Sequence, residues 1–132
     1  MIIKGEEYIF KIHDKPYHCA MDVTMDYIGG KWKTVVLWYL KNNTLRFGEL
    51  KKQIPEITEK MLSIQLKGLE EDGLVKREVF PEVPLRVEYS LTEFGNTLIP
   101  VLDAIAKWGR NLGEKEGVVE KVELKHMAKK TN

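Results

Sequence analysis

The side chains best suited to chemistry lie together on one predicted helix, residues 58–72. With a rotation of about 100° per residue, Leu62, Leu66 and Leu69 fall on one side of this helix. The other side carries two cations, a hydroxyl, an apolar group and, at its flank, an amide: Lys60, Lys67, Ser63, Ile64 and Gln65. Cations bind phosphates, whereas hydroxyl, amide and apolar groups contact base edges and the thymine methyl. This face suits a nucleic acid; the alternative is an ordinary solvated face.

The local charge favours the nucleic-acid interpretation, although the whole chain is almost neutral. The 21 lysines and arginines and the 20 acidic residues leave a net charge of +1. Residues 31–77 contain ten cations and six anions, which is +4, so the remainder of the chain carries −3. Such an asymmetry is typical of a DNA-facing surface. Further candidate DNA contacts are Lys31, Lys33, Arg46, Arg77 and Arg86.

Two of these arginines, Arg77 and Arg86, flank a predicted hairpin turn. From there a cation could reach the minor groove or the backbone phosphates of a duplex. The alternative is an ion pair across the hairpin, between Arg77 and Glu88 or between Arg86 and Glu78. The sequence leaves both interpretations open.

Enzymatic and metal chemistry find little support in the sequence. There is no nucleophile elbow, phosphate-binding glycine loop or dinucleotide fingerprint, so we expect no enzyme and no cofactor. His13, His18 and Cys19 could hold a metal only if a turn aimed them at one point, so we expect no metal site. The single cysteine excludes a disulfide framework within the chain.

Cys19 is nevertheless a candidate redox sensor. It precedes a predicted helix, and the positive end of a helix dipole stabilises a thiolate and raises its reactivity. With one cysteine per chain, oxidation could give an intersubunit disulfide or a mixed disulfide, and an electrophile could alkylate the thiol. The alternative is a small residue that packs the start of the helix.

These residues must be positioned by a series of short helices. Apolar spacing predicts a helix from about Met21 to Ile28, a second over 32–40, and a third that ends before Pro55. Thr58 is a suitable N-cap for the fourth helix, which should end at Gly73. Between the second and third helices, residues 44–47 could form a small strand. Residues 8–12 could be an extended arm or one helical turn.

A hairpin and a long helix complete the predicted fold. Runs at 74–80 and 85–91 flank a proline-containing turn and predict two antiparallel strands. Thr92 should cap one long helix that Pro100 bends without ending. We therefore expect an α+β, mainly α fold: a winged helix-turn-helix with a two-stranded β-hairpin wing and a long C-terminal dimerisation helix.

The apolar stripe of the last helix is wider than one neighbouring element needs, which predicts a homodimer formed by the first and last helices. The candidate interface residues are Met21, Met25, Leu98, Leu102, Ile105 and Trp108. Five aromatic residues could line an effector pocket at that interface, although core packing is the more common use of such residues: Tyr27, Trp32, Trp38, Tyr39 and Trp108.

Several segments resemble, in order, the HxlR family of bacterial winged helix-turn-helix transcriptional regulators, which are MarR-like. They are Cys19–Asp22, Asp26–Lys33, Arg46–Leu50, Lys60–Leu66, Leu69–Val75 and Glu82–Thr92. The resemblance covers about residues 18–113. It implies a homodimer that binds double-stranded DNA at a pseudo-palindromic operator, with recognition helix 58–72 in the major groove and wing 74–91 flanking it.

The resemblance leaves the control of DNA binding open. Some family members use a cysteine at the position of Cys19 to sense electrophiles or oxidants, but here Ala20 follows where the family often has proline. The alternative function is thus a redox, electrophile or small-molecule sensor in which Cys19 or a dimer-interface pocket controls DNA affinity. A purely protein-binding winged helix is the other alternative.

The sequence also predicts how the chain is divided and where the protein is located. We expect an N-terminal arm at 1–17, the DNA-binding and dimerisation domain at 18–113, and a C-terminal tail at 114–132. No apolar run approaches the ~18–20 residues that span a bilayer. The first residues are acidic where a signal peptide would be basic, so we expect a soluble, cytoplasmic protein without a membrane partner.

Overall fold

The computed structural model describes the backbone of residues 2–3, 6–7 and 10–116 and the side chains of residues 11–116. The helices are α1 (Ala20–Ile28), α2 (Lys33–Leu40), α3 (Phe47–Gln53), α4 (Glu59–Glu71), α5 (Glu93–Asn96) and α6 (Ile99–Lys115). The strands are β1 (Ile2–Ile3), β2 (Glu6–Glu7), β3 (Phe10–Ile12), β4 (Lys15–Tyr17), β5 (Val75–Phe80) and β6 (Arg86–Leu91). They pair antiparallel as β1–β2, β3–β4 and β5–β6.

The helix pair α3–α4 is followed directly by the hairpin β5–β6, which confirms the predicted winged helix-turn-helix layout. The α3 helix ends at Gln53, with Ile54 as its C-cap before Pro55, and the buried Ile57 anchors the turn between the helices. The Lys51 ammonium donates a hydrogen bond to the Pro55 carbonyl oxygen at 3.0 Å. The hydroxyl of Thr58 accepts the Met61 backbone N–H at 3.0 Å, so the predicted cap of α4 is confirmed.

One apolar core holds α4 and the wing in place. It is formed by fully buried aliphatic side chains from α2, α3, α4 and the first residues of the wing: Val36, Leu37, Leu40, Leu50, Leu62, Leu66, Leu69, Leu74 and Val75. Because all three leucines of α4 point into this core, the rest of that helix surface is left to solvent. The packing of α4 therefore determines which of its side chains a ligand could reach.

The segment before α1 forms short strands. The sequence had left open whether residues 8–12 form an extended arm or one helical turn. In the β3–β4 hairpin, His13 and Asp14 have φ angles of 51° and 63°, which is the backbone of a tight two-residue turn. Tyr17 is buried, and its hydroxyl donates to the Asp26 carboxylate of α1 at 2.7 Å. The Lys15 ammonium contacts the same carboxylate at 3.1 Å.

The predicted division into arm, domain and tail stays a prediction, and residues 117–132 of that tail lie outside the described residues.

The predicted long C-terminal helix is confirmed as α6, but the prediction that it starts after Thr92 and only bends at Pro100 is wrong. The α5 helix ends at Asn96, and α6 begins at Ile99 with Pro100 in its first turn. Proline suits that position, since the first N–H groups of a helix have no partner within it. Before the break, Gly95 of α5 packs so closely on Leu74 that an added Cβ would lie 2.1 Å from its carbonyl oxygen. The apolar spacing continues across the break and therefore hides it.

The predicted small strand at 44–47 reduces to a single pair of residues. Leu45 and Tyr89 exchange two backbone hydrogen bonds of 2.9 and 2.8 Å beside β6. The wing itself is regular, with register from Val75 opposite Leu91 to Phe80 opposite Arg86.

Within the described part of the chain, no helix is long and apolar enough to cross a membrane.

Candidate nucleic-acid interface

The exposed surface of α4 carries the side chains that the sequence singled out. Lys60, Ser63, Ile64 and Lys67 are exposed, while Gln65 is half-buried. The Gln65 amide donates to the Met61 sulfur at 3.2 Å, a weak acceptor that the amide can exchange for a better one. Two ammonium groups, one hydroxyl, one amide and one apolar side chain thus share an accessible helix surface.

The charge of α4 changes sign along its length. Lys60 and Lys67 lie in the first two-thirds of the helix, whereas Glu70, Glu71 and Asp72 crowd its C-terminal end and are exposed. An anionic end is repelled by phosphate, and it also lies at the negative end of the helix dipole. The N-terminal part of α4 is therefore the part compatible with DNA.

Two candidate contacts, Lys31 and Lys33, lie at or just before the start of α2, and Lys33 reaches the C-terminal end of α4. The Lys33 ammonium lies 4.0 Å from the Asp72 carboxylate, and Asp72 follows Lys60 by roughly 18 Å along the helix axis at ~1.5 Å per residue. The Lys31 ammonium stacks over the Trp32 ring, 4.6 Å from its centroid. The structure does not bring these two lysines together with Lys60.

Arg46 lies at the start of α3, the first helix of the helix-turn-helix. It is exposed, and its backbone N–H donates to the Glu49 carboxylate at 2.8 Å, which fixes the first turn of α3. The guanidinium of this exposed side chain is chemically suited to a phosphate contact.

The wing places its two arginines in different environments. Arg77 lies opposite Tyr89 and is exposed, whereas Arg86 forms ion pairs of 2.9 and 2.8 Å with Glu82 and Glu88. The two cross-hairpin pairs considered from the sequence are not formed. The register explains this, because it sets Glu78 opposite Glu88 rather than opposite an arginine. The pKa of Arg86 is raised by its hydrogen bond to Glu82 and further by Glu88.

The sequence reasoning missed the acidic partners of Arg86. The detectable signal was the spacing of the acids, four residues before and two residues after the arginine. Residues two apart on a strand share a face, so Glu88 was the natural neighbour of Arg86.

The candidate dimer residues fall into two groups. Met21 and Met25 of α1 are exposed, as are Ile105 and Trp108 of α6, and Trp108 keeps 70% of its surface accessible. Leu102 is buried in the core of its own chain, and Leu98 packs against that core. The exposed apolar stripe of α6 also includes Val101 and Leu112, whose spacing matches that of Ile105 and Trp108.

The aromatic residues that could line an effector pocket are not gathered in one place. A shallow cleft of about 310 Å³ lies between α2 and α6, where Trp38 and Tyr39 line it together with Ile105. Trp32 lies beneath Lys31 instead. Tyr27 packs edge-to-face on Phe94 with 5.8 Å between ring centroids.

Cys19 is the N-cap residue of α1 and is half-buried. Asp22 lies in the first turn of the same helix, and its carboxylate accepts the His18 backbone N–H at 3.1 Å. An anion therefore already occupies the positive end of α1 beside Cys19. Among residues 11–116, no three His, Cys, Asp or Glu side chains cluster in a way that could hold a metal ion.

Comparison with known proteins agrees with this geometry. Residues 27–130 match the family model described as HxlR-like helix-turn-helix. An uncharacterized HTH-type transcriptional regulator of Methanothermobacter thermautotrophicus is 52% identical over 100 residues, which are 76% of this chain and 76% of that protein. The HTH-type transcriptional regulator YdeP of Bacillus subtilis is 44% identical over 83% of this chain and 84% of its own length.

A solved structure gives a matching fold. It is that of the redox regulator HypR in its oxidized form, which is 43% identical in sequence and superposes with a TM-score of 0.67. The match covers 79% of this chain and 100% of that one.

Proposed function

This chain belongs to the HxlR-like helix-turn-helix family, and we propose that it acts as a homodimer that binds a specific, roughly palindromic DNA site. It is a transcriptional regulator with a helix-turn-helix DNA-binding domain, and not an enzyme. The observation that supports binding to a specific DNA site is the accessible face of α4. It carries Lys60, Ser63, Gln65 and Lys67, on the side away from three buried leucines.

In this proposal the N-terminal part of α4 enters the major groove. Ser63 and Gln65 contact base edges, while Lys60 and Lys67 contact phosphates or guanine acceptors. Arg46 at the start of α3 adds a phosphate contact. Lys31 and Lys33 have less support as contacts, since Lys31 stacks on Trp32 and Lys33 lies beside Asp72 at the acidic end of α4.

The proposed dimer forms through α1 and α6. Its support is the apolar surface that these helices leave accessible on one chain, above all Met21, Met25, Ile105 and Trp108. A two-fold axis between two such chains would repeat α4 on the DNA about 34–36 Å away, one helical turn along the duplex. The preferred site would then consist of two inverted half-sites.

Selection from a library of random-sequence duplexes tests this proposal. The full chain should enrich sequences with inverted half-sites whose centres lie about 10–10.5 base pairs apart. Hydroxyl-radical footprinting of an enriched duplex should show two protected patches related by two-fold symmetry. No enrichment, or one asymmetric footprint from a monomer, would contradict the proposal.

A second candidate function adds control of DNA affinity by oxidation at Cys19. Two observations favour it: Cys19 is partly accessible at the start of α1, and the matched HypR structure is that of a redox regulator. With diamide, two Cys19 thiols, one per subunit, would form a disulfide and release two protons and two electrons, which convert diamide to its hydrazine. This product requires the two Cα atoms to approach within about 7 Å.

The test compares the wild type with Cys19→Ser before and after diamide. Under this candidate, diamide changes the DNA affinity of the wild type, produces a dimer that persists on a non-reducing denaturing gel, and leaves Cys19→Ser unaffected. An unchanged wild-type affinity, or an equal response of the serine variant, would show that Cys19 only packs the start of α1.

A further inference from the structure

We propose that Arg86 is a positioning residue that keeps the tip of the wing rigid, and that Arg77 is the wing cation that contacts a DNA phosphate. The inference rests on the DNA binding proposed above and assigns different roles to two arginines that the sequence treats alike. It follows from the partners of each guanidinium and from the strand register.

Arg86 is held by two carboxylates and an aromatic ring. One guanidinium nitrogen donates to Glu82 at 2.9 Å and the other donates to Glu88 at 2.8 Å. The guanidinium also stacks on the Phe80 ring, 3.8 Å from its centroid, and only 27% of the side chain is accessible. Charge-assisted hydrogen bonds to two carboxylates neutralise the cation and orient it. A phosphate that approached Arg86 would meet two carboxylates already bound to the guanidinium, and their negative charge would repel it.

The wing needs such a cation for its own stability. Its register places Glu78 directly opposite Glu88, and like charges in directly opposed positions destabilise a strand pair. Arg86 neutralises Glu88, while Lys76 lies 3.3 Å from Glu78. These four charges share one face of the hairpin, because alternate residues of a strand point the same way.

The same arginine also joins the turn to the strand. Glu82 belongs to the turn, so the bond from Arg86 to Glu82 fixes the turn against β6. Apolar packing cannot do this at the tip, since Val83 is fully exposed and Leu85 is 62% exposed. The two ion pairs and the Phe80 stack are therefore the contacts that order the tip.

Arg77, in contrast to Arg86, has an exposed guanidinium without a carboxylate partner among residues 11–116. It lies on the other face of the hairpin, the face on which Val75 is buried and Tyr89 packs against the core. An unpaired guanidinium on the side of the wing that packs on the helices is free to bind a phosphate beside α4.

The experiment measures two properties of the full chain. One is the dependence of affinity on salt for a duplex obtained by the selection above. The other is hydrogen exchange of the amides in 79–88, which requires no DNA. The proteins are the wild type, Arg77→Ala, Arg86→Ala, the double variant, and Glu82→Gln, which removes one partner of Arg86 without removing the arginine.

The two roles predict different combinations of results. Arg77→Ala should lower the slope of log K against log salt by about 0.9 for each phosphate that is no longer neutralised, which is about 1.8 for a dimer. It should leave hydrogen exchange of the amides in 79–88 unchanged. Arg86→Ala should accelerate exchange at the tip at least tenfold, and Glu82→Gln should accelerate it less. Arg86→Ala should also weaken DNA binding, but only when Arg77 is present, so the double variant should bind like Arg77→Ala.

Three results would overturn the inference. Additive losses in the double variant, with tip exchange unchanged in Arg86→Ala, would make Arg86 a direct phosphate contact. A normal salt slope in Arg77→Ala would remove Arg77 from the interface. Normal tip exchange in both Arg86→Ala and Glu82→Gln would remove the positioning role. Failure of the wild type to bind any duplex would refute the proposed function instead, and the exchange data would still test Arg86.

Discussion

Replacing Ile105 by glutamate should separate the proposed dimer into folded monomers. Ile105 is 49% exposed on α6, so about half of its surface is available to a partner and only the rest is covered by its own chain. Six apolar side chains of α1 and α6 remain exposed in one chain: Met21, Met25, Val101, Ile105, Trp108 and Leu112. Together they offer roughly 600 Å² per chain, or about 1,200 Å² for two chains, which is the lower end of the range for stable interfaces.

The magnitude follows from the surface that Ile105 exposes. Half of an isoleucine is roughly 85 Å², so two copies remove about 170 Å² of apolar contact, worth about 4 kcal/mol at ~25 cal/mol per Å². That corresponds to roughly a thousandfold weaker dimer, before the cost of placing two carboxylates at the interface. The matched control is Lys107→Glu, which introduces the same carboxylate at an exposed position of the same helix without removing apolar surface.

Sedimentation equilibrium over a wide range of protein concentrations is the appropriate assay, with amide protection of the core as the test of folding. Ile105→Glu should sediment as a folded monomer at concentrations where the wild type and Lys107→Glu are dimers. If Ile105→Glu stays dimeric while folded, or if Lys107→Glu dissociates equally, α6 does not form the interface in the way described.

The remaining predictions concern the fold. Gly95→Ala should destabilise the protein by about 1–3 kcal/mol or more in urea unfolding, because its methyl group would collide with the Leu74 carbonyl. Gly109→Ala has open space and should instead stabilise α6 by up to about 1 kcal/mol. The hydrogen bond between Tyr17 and Asp26 lowers the pKa of Asp26 and raises the pKa of Tyr17 to about 12. Docking of β3–β4 should therefore be complete above pH 3.8 and below pH 10.0, and weaken as the pH falls through the folded pKa of Asp26 or rises toward 12. In Tyr17→Phe the loss toward pH 12 should disappear and the acid loss should become smaller, because Lys15 still contacts Asp26, as followed by NMR of residues 11–17.

The parts of the fold that local chemistry determines could be predicted from the sequence. Thr58 caps α4, and the leucine spacing of that helix correctly identified its buried side. The hairpin followed from strand alternation on both sides of a proline-containing turn, and the structure has it at β5 and β6. In each case the signal lies within a few residues of the feature that it specifies.

The parts that depend on distant contacts could not be predicted. The break between α5 and α6 and the close approach of Gly95 to Leu74 are not revealed by any periodicity within residues 92–112. The two cross-hairpin ion pairs considered from the sequence are not formed because the register sets neither arginine opposite a glutamate, and neither strand alone specifies that register. The β3–β4 turn was missed because His13 and Asp14 adopt positive φ angles without the glycine that usually marks such a turn.

The central claim is that the N-terminal part of α4 binds the duplex, and the salt dependence of binding by Lys60→Ala/Lys67→Ala tests it most directly. The control is Lys107→Ala/Arg110→Ala, which removes the same charge from exposed positions on α6. Removal of Lys60 and Lys67 should weaken binding by about 1 kcal/mol or more per lysine and reduce the salt slope by about 0.9 for each phosphate that these lysines neutralise. The control should bind like the wild type. Unchanged affinity and slope in Lys60→Ala/Lys67→Ala, or equal losses in the control, would contradict the assignment of α4 as the recognition helix.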